Sequence, residues 1–130
     1  LVGVLGLGWA ASVGRPAEPL GKGVAPAVVA TSSPAKIALA EYLTASGVRI
    51  YTAYWCPHCH EQKELFGKEA TAKLNVVECA PDGRNSQKAL CDEKKIEGYP
   101  TWELNGKLDS GVKPLAQLAE QSGYKGPVDF

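Results

Sequence analysis

Apolar and polar positions fall into three regimes along the chain. Leu1 to Gly14 is uncharged and rich in Leu, Val and Gly, Arg15 to Ser33 is Pro, Gly and Ala without a period, and beyond it apolar residues recur at helix and strand spacing. The first stretch is read as the end of a transmembrane helix, being shorter than the roughly 20 residues a bilayer needs. A signal-peptide core competes with that reading. Residues 15–33 read as a linker of mixed stiffness, and 34–126 as the folded domain. Gly6, Gly8 and Ala11 imitate a dinucleotide-binding spacing, but Arg15-Pro16-Ala17-Glu18-Pro19 follows where that motif requires a helix.

Within 34–126 the pattern specifies elements. Ser33 as N-cap, Pro34 at the first helical position, an inward stripe of Leu39, Tyr42 and Leu43, and Gly47 past the end predict a helix to about Ser46. Val48 to Tyr54 reads as a strand, and Pro57 to about Lys73 as a helix with Leu65, Phe66 and Ala70 on its apolar side and a kink at Gly67. Leu74 to Cys79 is a second strand, Asp82-Gly83-Arg84-Asn85 a turn, and Ser86 to Lys95 a helix with Leu90 and Cys91 inward. Thr101 to Leu104, Asn105-Gly106 and Lys107-Leu108 form a hairpin, because Asn-Gly suits the positive φ angles of a type I′ turn. Pro114 to Ser122, with Leu115, Leu118 and Ala119 on one side, is the last helix. Strand-helix-strand implies a right-handed parallel pair, and the hairpin adds antiparallel strands to the same sheet. A third strand lying antiparallel beside the first would set Tyr99-Pro100-Thr101 opposite Cys56.

Composition narrows the function classes. Fourteen Lys and Arg balance fourteen Asp and Glu, so the chain carries no basic footprint for nucleic acid, and none is expected as a partner. Four cysteines among 130 residues, with no Met, point to disulfide chemistry in an oxidising compartment.

The chemistry concentrates in Trp55-Cys56-Pro57-His58-Cys59-His60, at the passage from strand to helix. The first sulfur then sits at a helix N-terminus, where unpaired N–H groups and the helix dipole favour an anion. Thiolate is the reactive form of cysteine, so Cys56 is the expected nucleophile. Cys59, one turn deeper on the same face, is within reach of a disulfide and is the expected resolving thiol.

With Cys56-Pro57-His58-Cys59 after a strand and Tyr99-Pro100-Thr101 opening another about forty residues later, the chain resembles the thioredoxin family over about 34–126. The resemblance implies an α/β thioredoxin-like fold, a mixed four-stranded sheet flanked by helices, in which Pro100 is cis and its loop, with Tyr99 and Trp55, receives an extended substrate backbone. It makes Cys56 and Cys59 catalytic, and His58 a stabiliser of the reduced form, as in DsbA-type oxidants. Tyr54 to His60, Cys79, Cys91 and Gly98-Tyr99-Pro100-Thr101-Trp102 together resemble the thioredoxin-like domain fused to vitamin K epoxide reductase homologues of bacteria and plants. That implies an oxidant of protein thiols, tethered to a membrane in a periplasm or lumen. Its partners would be reduced substrate proteins and a membrane domain in the same polypeptide, and quinone would bind only in that domain. This segment would carry no cofactor beyond its redox-active disulfide, and no metal.

Other readings compete. A reductase or isomerase would share the motif. Cys56 to His60 also satisfies the C-x-x-C-H attachment signature of a c-type haem, and Cys56 with Cys59 resembles half a zinc site. Cys79 and Cys91 are read as a structural disulfide, with a second relay pair and buried free thiols as alternatives. His58 could equally be an exposed residue of a helix start. Trp102 is weighed beside Trp55 as a groove residue, against a place in the core. His60, Lys63, Lys68 and the Asp92-Glu93-Lys94-Lys95 run read as solvated.

Overall fold

The structure, a computed structural model, describes residues 23–130; the expectations for 1–14 and for the first part of the linker lie outside that range. Among the described residues nine elements follow in order: α1 (Pro34–Ala45), β1 (Arg49–Thr52), α2 (Pro57–Phe66), α3 (Lys68–Thr71), β2 (Val76–Glu78), α4 (Lys88–Glu93), β3 (Thr101–Leu104), β4 (Lys107–Ser110) and α5 (Leu115–Ser122). Among the described residues no helix is long and apolar enough to cross a membrane.

Ser33 caps α1 as its spacing predicts, its Oγ accepting from the Lys36 N–H at 3.2 Å, with Pro34 in the first turn. The sheet has the order β2-β1-β3-β4. β1 runs parallel to β2 with Tyr51 beside Val77, and antiparallel to β3 with Tyr51 beside Thr101; β4 closes the hairpin on β3. Strand alternation then builds two unequal faces. Ile50, Trp102 and Leu104 point into the large core, where they meet Leu39 and Leu43 of α1, Phe66, Ala70, and Leu115 and Leu118 of α5. Tyr51 and Val77 point the other way, into a small core with Cys79, Cys91, Leu90, Ile96 and Tyr99. A six-residue helix, α4, covers that second face.

Several boundaries depart from the pattern. The helix expected to continue to Lys73 breaks at Gly67, whose φ of 91° and ψ of 166° suit glycine alone. The kink is a break because Ser32 lies against that backbone, and a Cβ on Gly67 would come within 2.5 Å of Ser32 Oγ. Leu65, expected inward, is exposed, because the buried face of α2 runs through Cys59, Gln62, Lys63 and Phe66 and Leu65 lies off it. Lys63, expected in solvent, is buried. Leu74 and Cys79 flank β2 without joining it, and α4 is shorter than the run from Ser86 to Lys95.

Residues 23–33, read as part of a linker, lie against the domain. The Gly23 carbonyl accepts from Arg84 N–H at 2.7 Å, and the Ala30 carbonyl from Lys68 N–H at 2.8 Å. The Glu64 carboxylate accepts from the N–H groups of Val29 and Ala30 at 2.9 and 3.0 Å. Ser32 donates to the Phe66 carbonyl at 2.7 Å and accepts from Ala70 N–H at 2.9 Å. Carboxylate and hydroxyl groups thus satisfy backbone that no helix or sheet pairs, which a pattern of apolar residues does not report.

Candidate active site

Cys56 is the N-cap of α2, in extended conformation, followed by Pro57 in the first turn. Its side chain takes the role usually filled by Ser or Asp: Sγ accepts the Cys59 N–H at 3.3 Å. On its other side Sγ donates to the Tyr99 carbonyl at 3.6 Å. Cys56 and Cys59 are free thiols, with 7% and 1% of their surface exposed. Cys59 lies beneath Cys56 in a pocket of Ala53 and Ala80, edged by Tyr54 and Tyr99. Burial, then the hydrogen bond to Cys56, pushes the Cys59 thiol up to about 12. The upper sulfur is therefore set to meet a partner, and the lower one is held as a thiol until a bond forms or breaks at Cys56.

The opposite wall is the loop before β3. The Tyr99-Pro100 bond is cis, Pro100 is buried, and its carbonyl accepts from Gly111 N–H at 2.8 Å. Trp55 stands 61% exposed beside the sulfurs and meets the Tyr99 ring edge-on at 5.9 Å between centroids. Trp55, Cys56 and Tyr99 thus share one surface, an apolar platform around a single reachable sulfur. Trp102 is elsewhere: fully buried on the large-core face beside Ile50, it is a core residue and no part of that groove.

His58 turns away from the sulfurs. Its Nδ1 lies 3.3 Å from Glu61 Oε1, with both side chains largely in solvent, and it makes no hydrogen bond to Cys56. His60 is less solvated than its pattern implies, with Nε2 3.2 Å from Glu64 Oε2, the same carboxylate that holds Val29 and Ala30.

Cys79 and Cys91 are bonded, with Cα atoms 5.8 Å apart, both buried in the small core. The bond ties α4 to the end of β2. Tyr99 packs against this cluster and against the cluster holding Cys56, so its side chain is shared by the two clusters that hold the cysteine pairs. Among the described residues no group of three His, Cys, Asp or Glu side chains could hold a metal ion.

Sequence reasoning did not single out three supporting side chains. Gln62, fully buried in α2, accepts from Trp102 Nε1–H at 3.1 Å and Lys113 N–H at 2.7 Å, and donates to the Lys113 carbonyl at 3.0 Å. It locks the redox helix to β3 and to the loop before α5. Glu78 Oε2 accepts from Tyr54 N–H at 3.1 Å and Ala80 N–H at 3.0 Å, fixing the two loops under the sulfurs. Glu103 accepts from Tyr51 Oη–H at 2.6 Å and Lys94 Nζ–H at 3.0 Å; burial works to raise it, but these donors outweigh burial and hold it below the usual carboxylate range. Only a polar residue at an inward position, as Gln62 is in α2, offered a clue.

The fold is thioredoxin-like. No family model matches the chain. It is 50% identical over 100 residues to the thiol-disulfide oxidoreductase LTO1 of Arabidopsis thaliana, a match spanning 75% of this chain and 27% of that protein. It is 36% identical over 70 residues to a protein disulfide-isomerase of Aspergillus oryzae, spanning 49% of this chain and 12% of that one. The thioredoxin-like chain therefore spans about a quarter, or less, of the length of these relatives.

Proposed function

We propose that this chain is a thiol-disulfide oxidoreductase domain that oxidises protein thiols through a Cys56 to Cys59 disulfide. The observation that carries this reading is the placement of Cys56 Sγ between the Cys59 N–H and the Tyr99 carbonyl, with Cys59 buried directly beneath. In the oxidised form a substrate thiolate attacks Cys56 Sγ. The bond to Cys59 breaks, and its electron pair leaves with the Cys59 sulfur, which takes up a proton. A second substrate thiolate then attacks the substrate sulfur of the mixed disulfide, releasing Cys56 as thiolate and the substrate as a disulfide. Two electrons thus pass from substrate to the cysteine pair. The Trp55 and Tyr99 platform and the Pro100 loop hold the substrate chain during both displacements. The Cys59 N–H, aimed at Cys56 Sγ, stabilises the charge left there when the substrate departs.

The onward step is also part of the proposal. The reduced pair hands its electrons to a vitamin K epoxide reductase-like membrane domain in the same polypeptide, where quinone binds, and the domain works in an oxidising periplasm or lumen. Most of the LTO1 sequence lies outside the match, which leaves room for such a domain. The similarity to a protein disulfide-isomerase favours a second reading, in which the same exchange runs as isomerisation or reduction. A c-type haem is the poorer fit to this geometry, because Cys59 is turned into the core and His60 is engaged by Glu64.

The test is covalent trapping. With Cys59→Ala, reduced protein substrates should accumulate as mixed disulfides on Cys56, identified by mass after alkylation; a Cys56→Ser chain that still exchanges disulfides would overturn the reading.

A further inference from the structure

Lys63 is the lysine of the redox helix, and the mechanism above leaves it unused. It lies four residues after Cys59 on the same face of α2, and only 8% of its surface is exposed. Lysine is seldom buried without a partner. The Lys63 ammonium makes no hydrogen bond and no ion pair with any described residue and is not among the fully buried groups left without a partner, so its stem is buried while its nitrogen keeps contact with solvent; its backbone carbonyl is engaged by Gly67 N–H and Thr71 Oγ1–H.

Cys59 presents the complementary need. Each opening of the bond between Cys56 and Cys59 expels the Cys59 sulfur as an anion, and each closing requires it to attack as one. The pocket around it is Ala53, Cys56 and Ala80 with Tyr54 and Tyr99, and no carboxylate or cation belongs to that cluster. Glu78, on the neighbouring strand, is committed to the N–H groups of Tyr54 and Ala80. Lys63, one turn along the same buried face of α2, is the cation whose charge favours the Cys59 anion, a smaller effect than the burial and the Cys56 hydrogen bond that oppose it.

We propose that Lys63 is the charge partner of the Cys59 thiolate, compensating the buried anion each time the bond between Cys56 and Cys59 breaks or forms. This deepens the exchange function proposed above and rests on it. Removing the cation leaves a more basic sulfur. Each unit of that change cuts the thiolate fraction tenfold, while greater nucleophilicity restores about threefold of the rate, so closure slows by roughly threefold per unit.

The experiment follows two displacements in the reduced 130-residue chain mixed with a stoichiometric aromatic disulfide whose released thiol is coloured. In the first, Cys56 thiolate attacks the reagent, expelling one aromatic thiolate and forming a mixed disulfide. In the second, Cys59 thiolate attacks Cys56 Sγ, expelling the other aromatic thiolate, and the proton of Cys59 goes to solvent. Lys63→Met and Lys63→Gln should leave the first phase within about twofold of wild type and slow the second by about threefold or more, and Lys63→Arg should restore it. A second phase unchanged in both neutral variants, or slowed equally in the arginine variant, overturns the role of Lys63. A wild-type chain with no first phase overturns the exchange function itself, so the two failures are distinct.

Discussion

The two cysteine pairs of this chain are almost equally buried, yet their settings differ in every other respect. Cys56 and Cys59 are separated by two residues at the start of α2, one sulfur under an open platform and the other under a helix turn, and both are free thiols. Cys79 and Cys91 are 12 residues apart, bonded, and sealed between Tyr51, Val77, Leu90 and Ile96. Exposed area alone does not separate them, since all four cysteines fall at 7% or below. What separates them is bonding and neighbours: Cys56 is a free thiol next to the exposed Trp55 and a backbone carbonyl, whereas Cys79 and Cys91 are bonded to each other in a cluster that shares only Tyr99 with that of Cys56. The faces of the sheet show the same contrast. The large core is held by α1 and α5 with many apolar contacts, while the small one depends on a six-residue helix without a side-chain N-cap bond, too short to hold itself.

The sharpest way to break this comparison is to remove one sulfur from each pair. Cys56→Ser is expected to abolish exchange with protein thiols while leaving the thermal transition nearly unchanged, measured by substrate oxidation and by calorimetry. The paired change Cys79→Ala with Cys91→Ala should do the reverse. It should cost about 3 kcal/mol of stability in urea unfolding, the chain-entropy value for a loop of this length, and leave the exchange rate within about twofold. Equal loss of exchange in both would mean that the second pair is also part of the electron path.

Gln62→Leu tests how firmly the redox helix is set against the sheet. It leaves the Trp102 and Lys113 N–H groups unpaired in the core, and a loss of about 1–3 kcal/mol in the same unfolding assay is expected. Gly67→Ala forces a side chain into a backbone region that only glycine occupies freely, against Ser32, and should cost about 1–3 kcal/mol.

The smallest effect concerns residues 23–33. N–H groups of Val29 and then Ala30 hold the Glu64 carboxyl below its ordinary value of 4.5, against an opposing effect of burial and with a lesser contribution from His60. A carboxyl lowered on folding stabilises the folded contact fully above its ordinary value, and that contribution is lost as pH falls through the lowered one. Protection of the Val29 and Ala30 amides, taken relative to their intrinsic exchange rates, should therefore fall only below about pH 4.5, and Glu64→Gln should lower it at neutral pH.

Much of the fold was legible because its signals are local. Ser33 and Pro34, the Asn105-Gly106 turn, and the step from strand to Cys56-Pro57 each specify their own geometry, and the position of Tyr99-Pro100 follows once β3 lies antiparallel to β1. The rest depends on contacts between distant residues. Whether Lys63 is buried, whether Trp102 faces the groove or the core, and whether 23–33 floats or docks are decided by partners 34 to 40 residues away or by how a neighbouring helix packs. The apolar pattern put Leu65 and Phe66 on one side; the face that packs is instead Cys59, Gln62, Lys63 and Phe66, two of them polar, which leaves Leu65 outward.

The most direct measurement is an equilibrium titration of the chain in glutathione redox buffers, with free thiols alkylated and each cysteine pair followed by its mass. Cys56 and Cys59 should titrate together between roughly −120 and −270 mV, at the upper end if the domain donates disulfides, while Cys79 and Cys91 stay bonded throughout. A Cys56 to Cys59 pair that never changes state across that range, or two pairs that titrate as one, would contradict the division of labour between them.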